Sequence, residues 1–126
     1  MSFRSPLGRA LGLGSARSGF AHWWGQRLSA AALVPLGLWF MVSVMGLPST
    51  DYWAVSAWAG SPLHAVLLVL LLASLLYHSN LGLRVVIEDY VHGATKVVTL
   101  VLVQFLHMLL AVAGVYAIVA LSAGGQ

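Results

Sequence analysis

Residues 63–83 read LHAVLLVLLLASLLYHSNLGL, twenty-one positions without one charged side chain. At about 1.5 Å of rise per residue, such a run spans a hydrocarbon core of about 30 Å as an α-helix. A lone strand is excluded, because backbone N–H and C=O groups in lipid must be satisfied within the segment or in a closed barrel. Two further runs, Leu28–Leu47 and Val97–Ala123, have the same character. The expectation is an all-α membrane protein with three transmembrane helices, about 28–47, 63–88 and 97–122. An interfacial arm over 1–26 precedes the membrane domain of 27–126.

Composition points the same way. Of the 126 residues, 60% are hydrophobic and 7% charged, against about 25% charged in an average soluble domain. A mean hydropathy of +0.93 excludes a lone soluble domain and a disordered chain. Cysteine is absent, which removes disulfides, thiolate metal sites and thiol nucleophiles. Loops this short leave no room for a nucleotide-binding or hydrolytic domain. Any chemistry must use intramembrane groups, a bound cofactor or a partner.

The six basic residues cluster. Arg4, Arg9, Arg17 and Arg27 precede the first run, Arg84 and Lys96 flank the turn between the second and third, and Pro48–Pro62 carries only the charge of Asp51. The positive-inside rule then places the N-terminus inside and the C-terminus outside. Tyr52, Trp53 and Trp58 read as an outer aromatic belt, and Trp23 and Trp24 as an inner one. The arm is Arg- and Ser-bearing without an acid, overlapping with transit-sequence composition. Its glycines, in GLGSARSG (12–19), lack the Gly-Lys-Ser/Thr ending of a phosphate loop and read as a flexible lead-in.

Histidine is the informative residue type. His22, His64 and His92 read as solvated or interfacial. His78 and His107 lie about ten residues from the inner surface, roughly 15 Å deep, where an imidazole must hydrogen-bond or ligate a metal. A structural histidine and a ligand are both open for each. Their matched depth raises bis-histidine haem ligation, with an apolar macrocycle edge-on between helices. Gly82, at i+4 from His78, shares its face and would leave space for a porphyrin, or else permits close helix packing. Asp89, eleven residues on, falls on the same face if the helix continues. Tyr90 would present its O–H at the membrane boundary, suited either to a quinone carbonyl or to an aromatic belt. Arg27 and Arg84 suit an anionic group near the inner surface, such as a haem propionate or a lipid phosphate, or serve as plain anchors.

The string HSNLGLRVVIEDYVH, His78–His92, resembles the smaller hydrophobic membrane anchor of succinate dehydrogenase (complex II), whose second helix carries His-x-x-x-Gly and ends in Asp-Tyr-Val. Gly19–Arg27, GFAHWWGQR, followed by Leu28-Ser29-Ala30, is similar to that family's approach to its first helix. The resemblance runs from Gly12 to about Lys96 and rests mainly on the His-to-Asp-Tyr spacing. It implies half of a two-chain anchor bundle in a bacterial inner membrane, rather than a mitochondrial one. His78 would give one axial ligand to haem b, and a companion cytochrome b anchor subunit the other. Tyr90 would hydrogen-bond ubiquinone with Asp89 beside it, and Arg27 would lie near the haem propionates and the quinone pocket. Iron–sulfur and flavoprotein subunits would be the remaining partners, and no activity is expected of the chain alone. A fumarate reductase anchor is a close relative of this reading. The resemblance transfers no role to His107. Two alternatives remain at this level: a self-contained cytochrome with His78 and His107 as both ligands, and a haem-free scaffold whose histidines pair with groups such as Gln104.

Overall fold

The computed structural model describes residues 16–124, in which all regular structure is helical. The helices are α1 (Ala16–Met45), α2 (Tyr52–Gly60), α3 (Pro62–Tyr90) and α4 (Gly93–Gly124). Arg4, Arg9, Gly12 and Gly14, in the first part of the expected arm, lie outside the described residues. α1, α3 and α4 are each long and apolar enough to cross a membrane, as the three runs require.

Two boundaries differ from the sequence reading. α1 starts at Ala16, so the latter part of the expected arm is helix continuous with the first span. Nothing between residues 16 and 27 breaks a helix, and Pro35 sits inside α1, tolerated because surrounding groups in membrane helices re-satisfy the freed carbonyl. The second difference is α2, inside the Pro48–Pro62 connection. Asp51 caps it, accepting from the Ala54 N–H at 2.8 Å and from the Ser49 hydroxyl. Those bonds, Ser49's foremost, hold the exposed Asp51 carboxyl below its ordinary pKa.

Tight turns fix how the helices return on one another. Pro62 starts α3 at a position where its missing N–H costs nothing. Between α3 and α4 the chain reverses through Gly93, whose φ of +67° suits only glycine. At the other end, a Cβ on Gly60 would meet the Leu121 carbonyl oxygen at 2.7 Å, so the absent side chain lets α2 lie against the end of α4.

α3 is the central element. It packs against α1 on one side and α4 on the other, and α1 and α4 do not meet. The result is an open row of three helices rather than a closed bundle. Among the described residues only Ala59, Leu81, Ile87, Ser29 and His107 are buried. In the most apolar stretches of α1 and α3 only 6% of residues are buried, and none in α4. Apolar surface on this scale must be covered by lipid or by other helices.

Candidate functional site

Because α4 covers only one side of α3, the α1–α3 seam stays open. A groove of about 920 Å³ runs along it, lined from α1 by His22, Trp23, Gln26, Arg27 and Ala30 and from α3 by His78, Gly82, Arg84, Val85 and Glu88. That is large enough for a cofactor-sized ligand.

His78 sits at the deep end of the groove, twelve residues from the Tyr90 end of α3, about 18 Å along the axis. Both ring nitrogens are engaged by α1. Nδ1 lies 3.1 Å from the Ser29 hydroxyl, and Nε2 lies 3.4 Å from Gln26 Nε2. The Ser29 hydroxyl is 2.8 Å from the Gly25 carbonyl, which can only accept. Ser29 therefore donates to Gly25 and accepts from His78 Nδ1–H, and the Gln26 amide donates to Nε2. This arrangement assigns the Nδ1–H tautomer and leaves the Nε2 lone pair on the groove side. Gln26 Oε1 is buried with no partner among the described residues. Gly25 permits the approach, since a Cβ there would meet the Tyr77 hydroxyl at 2.7 Å.

Gly82, one turn from His78, also lines the groove. A Cβ on it would meet only Gln26 Nε2, at 3.6 Å, an ordinary contact. Close packing between α1 and α3 therefore does not require this glycine, and the open space beside it belongs to the groove.

Toward the basic end the groove is cationic. The Arg27 guanidinium lies over the Trp23 ring at 5.6 Å. Arg84 is 3.4 Å from Glu88, one turn on, with both side chains about half exposed. A pair so exposed is weak and leaves Arg84 free to engage another anion.

Asp89 and Tyr90 end α3 outside the groove. α3 does continue to Tyr90, as the His78-to-Asp89 spacing needs, but the groove wall nearest that end is Glu88 rather than Asp89. Tyr90 is 79% exposed, and neither side chain has a hydrogen-bond partner among the described residues. Both stand at the membrane boundary facing outward from this chain. His92 is likewise exposed.

His107 is elsewhere. It is buried at 8% exposure, with Nδ1 2.8 Å from the Val103 carbonyl and Nε2 3.1 Å from the Ser79 hydroxyl. Ser79 follows His78 on α3 but turns toward α4. The paired bis-histidine site is therefore corrected: the two rings face opposite sides of α3, and both His107 nitrogens are engaged in packing α3 on α4. The suggested histidine pairing with Gln104 is corrected too, because Gln26, Ser29 and Ser79 fill that role, and Gln104 is exposed. His64, read as solvated or interfacial, is partly buried against Trp39 and Trp58, its Nδ1 held by the Trp58 carbonyl and the Ser61 hydroxyl.

No group of three or more His, Cys, Asp or Glu residues able to hold a metal ion occurs among the described residues. The groove offers one imidazole, an apolar wall and two guanidinium groups. That donor set does not chelate a free ion. It does match a plate-shaped ligand with an iron centre and acidic edges, if a second chain completes the coordination. Ser29 and Gln26 are the site residues that sequence reasoning missed. Their signal was present, since a serine within an apolar run and a glutamine at its edge are polar groups at a cost in lipid.

A family model described as "Succinate dehydrogenase/Fumarate reductase transmembrane subunit" matches residues 1–120. Among curated proteins, the succinate dehydrogenase hydrophobic membrane anchor subunit of Rickettsia bellii is 35% identical over 89 residues, covering 71% of each chain. The protein of the same name from Paracoccus denitrificans is 30% identical over 124 residues, covering 98% of this chain and 96% of that one. No solved structure matches the chain.

Proposed function

The chain belongs to the succinate dehydrogenase/fumarate reductase transmembrane subunit family, and on that premise we propose that His78 supplies one axial ligand of a b-type haem and Tyr90 part of a ubiquinone site. The coarser role is a multi-pass anchor subunit of a succinate dehydrogenase complex in a bacterial inner membrane. In the finer reading the basic end faces the cytoplasm and receives the flavoprotein and iron–sulfur subunits. A companion anchor subunit closes the open side of the α1–α3 seam and brings the second iron ligand. The chain would bind neither succinate nor flavin.

The observation that carries this reading is His78 itself: an imidazole deep in an apolar span, Nδ1–H tied back to its own helix pair, with the Nε2 lone pair on the groove side. Gly82 leaves clearance one turn away, and Arg27 and Arg84 stand where propionates at the basic end would need cations. Bound there, a haem would supply a one-electron carrier within reach of the quinone site. Tyr90 donates its O–H to a quinone carbonyl while the isoprenoid tail stays in lipid, and Asp89 is the adjacent group open to water for proton exchange. The outward face of both residues on this chain supports a quinone site shared with partner subunits.

The test is to purify the tagged chain from its native membrane in mild detergent and record a dithionite-reduced minus oxidised spectrum. A sharp low-spin b-type signal with three copurifying partners is expected. Partners without any haem signal would remove the haem role, and neither partners nor haem would leave a bare scaffold.

A further inference from the structure

We propose that Ser29 is the positioning residue for His78: its hydroxyl, anchored to the Gly25 carbonyl, selects the Nδ1–H tautomer and so aims the Nε2 lone pair into the groove. The inference rests on the reading of His78 as a haem ligand and deepens it.

Three observations carry it. Ser29 is one of only two buried polar residues described, at 6% exposure, so its hydroxyl has no water to fall back on. It bonds in a fixed direction, donating to Gly25 at 2.8 Å, with the Gln26 carbonyl also within reach at 3.1 Å. Its remaining capacity at that oxygen is acceptance, and the group facing it is His78 Nδ1 at 3.1 Å. The opposite tautomer would set a lone pair against the hydroxyl oxygen and a proton where the ligand bond must form. An acceptor on the far nitrogen of a ligating imidazole fixes ring orientation and raises its donor strength.

On the other side of the ring, Gln26 contacts Nε2 through a long 3.4 Å bond, and its Oε1 has no partner among the described residues. That amide is the weaker of the two holds and the one that must yield for Nε2 to reach a ligand. Ser29 stays in place and Gln26 moves.

The experiment uses the whole complex, purified through this chain, with the variants Ser29→Ala, Ser29→Thr, Ser29→Val and His78→Ala, and Ser79→Ala as the control. Haem per flavin, the haem midpoint potential and the fraction of reduced haem that binds carbon monoxide are read for each. Thr keeps a hydroxyl able to bond the i−4 carbonyl, whereas Val has the same shape without it. The expected result is about tenfold or greater loss of haem retention in Ser29→Ala and Ser29→Val, with the residual haem shifted to higher potential and partly open to carbon monoxide. Ser29→Thr restores the wild-type values. Ser79→Ala, which removes the hydroxyl facing His107, leaves the haem spectrum unchanged.

If Ser29→Ala does not assemble, the Thr and Val pair decides, and equal haem content and potential in those two overturns the proposal. Ser29→Ala matching wild type while His78→Ala lacks haem overturns the positioning role and leaves the ligand reading standing. Haem retained in His78→Ala overturns both.

Discussion

Ser79 and His107 are joined by a 3.1 Å hydrogen bond across α3 and α4, while His78, the residue before Ser79, faces α1. One step of about 100° around α3 thus separates a histidine that packs helices from one that opens on a groove. His107→Ala is expected to lower the yield of assembled complex, because it leaves the Val103 carbonyl and the Ser79 hydroxyl without their partner in a buried seam. Haem per assembled complex should stay at the wild-type ratio. Loss of haem in proportion to His107 would return this residue to the site.

Gly82 offers a graded test of the groove. A methyl group there meets only Gln26 at 3.6 Å, so Gly82→Ala should fold and assemble as wild type. Gly82→Leu projects a branched side chain into the groove without burying it between α1 and α3. It should cut haem occupancy sharply while the peripheral subunits stay attached. Equal haem content in Ala and Leu variants would mean that the ligand does not pass this position.

Tyr90 bears on the quinone rather than on folding, since its side chain is exposed and makes no hydrogen bond among the described residues. Tyr90→Phe should lower succinate–quinone turnover by about tenfold, the scale of one lost hydrogen bond. Reduction of an artificial soluble acceptor by the same preparation should be unaffected. A parallel fall in both assays would point to failed assembly and away from a quinone contact.

A pH effect is expected at the opposite end of the molecule. The Asp51 carboxyl is held below its ordinary value of 3.8 by the Ser49 hydroxyl and then by the Ala54 N–H. A depressed carboxyl favours the folded cap above the unfolded pKa and ceases to do so as pH falls through the folded one. Amide exchange at Ala54 should therefore accelerate below about pH 3.8, and Asp51→Asn, a good cap without a charge, should flatten that dependence.

The three spans are legible as charge-free runs because lipid admits so few alternatives to an apolar helix. Their ends are less so. Arg17, His22, Gln26 and Arg27 interrupt the hydropathy signal, yet none of them opposes helix formation, and α1 runs through them from Ala16. α2 is hidden because nine residues of aromatic, small and polar character read equally as an interfacial loop, although Asp51 three residues ahead of Ala54 is a capping signal. His78 stands out since an imidazole is costly at that depth. Ser29 does not, as a lone helical serine most often bonds only its i−4 carbonyl. That it also meets His78 is a relation between two helices 49 positions apart, and no local pattern encodes it. His107 shows the converse: depth matches it to His78, and only the rotation of α3 separates them.

The most direct measurement is the ratio of haem to flavin in the purified complex carrying His78→Ala, with succinate oxidation by a soluble acceptor as the check on assembly. If His78 is the ligand, the complex assembles and oxidises succinate, and its low-spin haem signal is lost or converted to a high-spin, carbon monoxide-reactive form. A wild-type low-spin spectrum at an unchanged ratio would contradict that assignment, and would move the ligand to another residue or another chain.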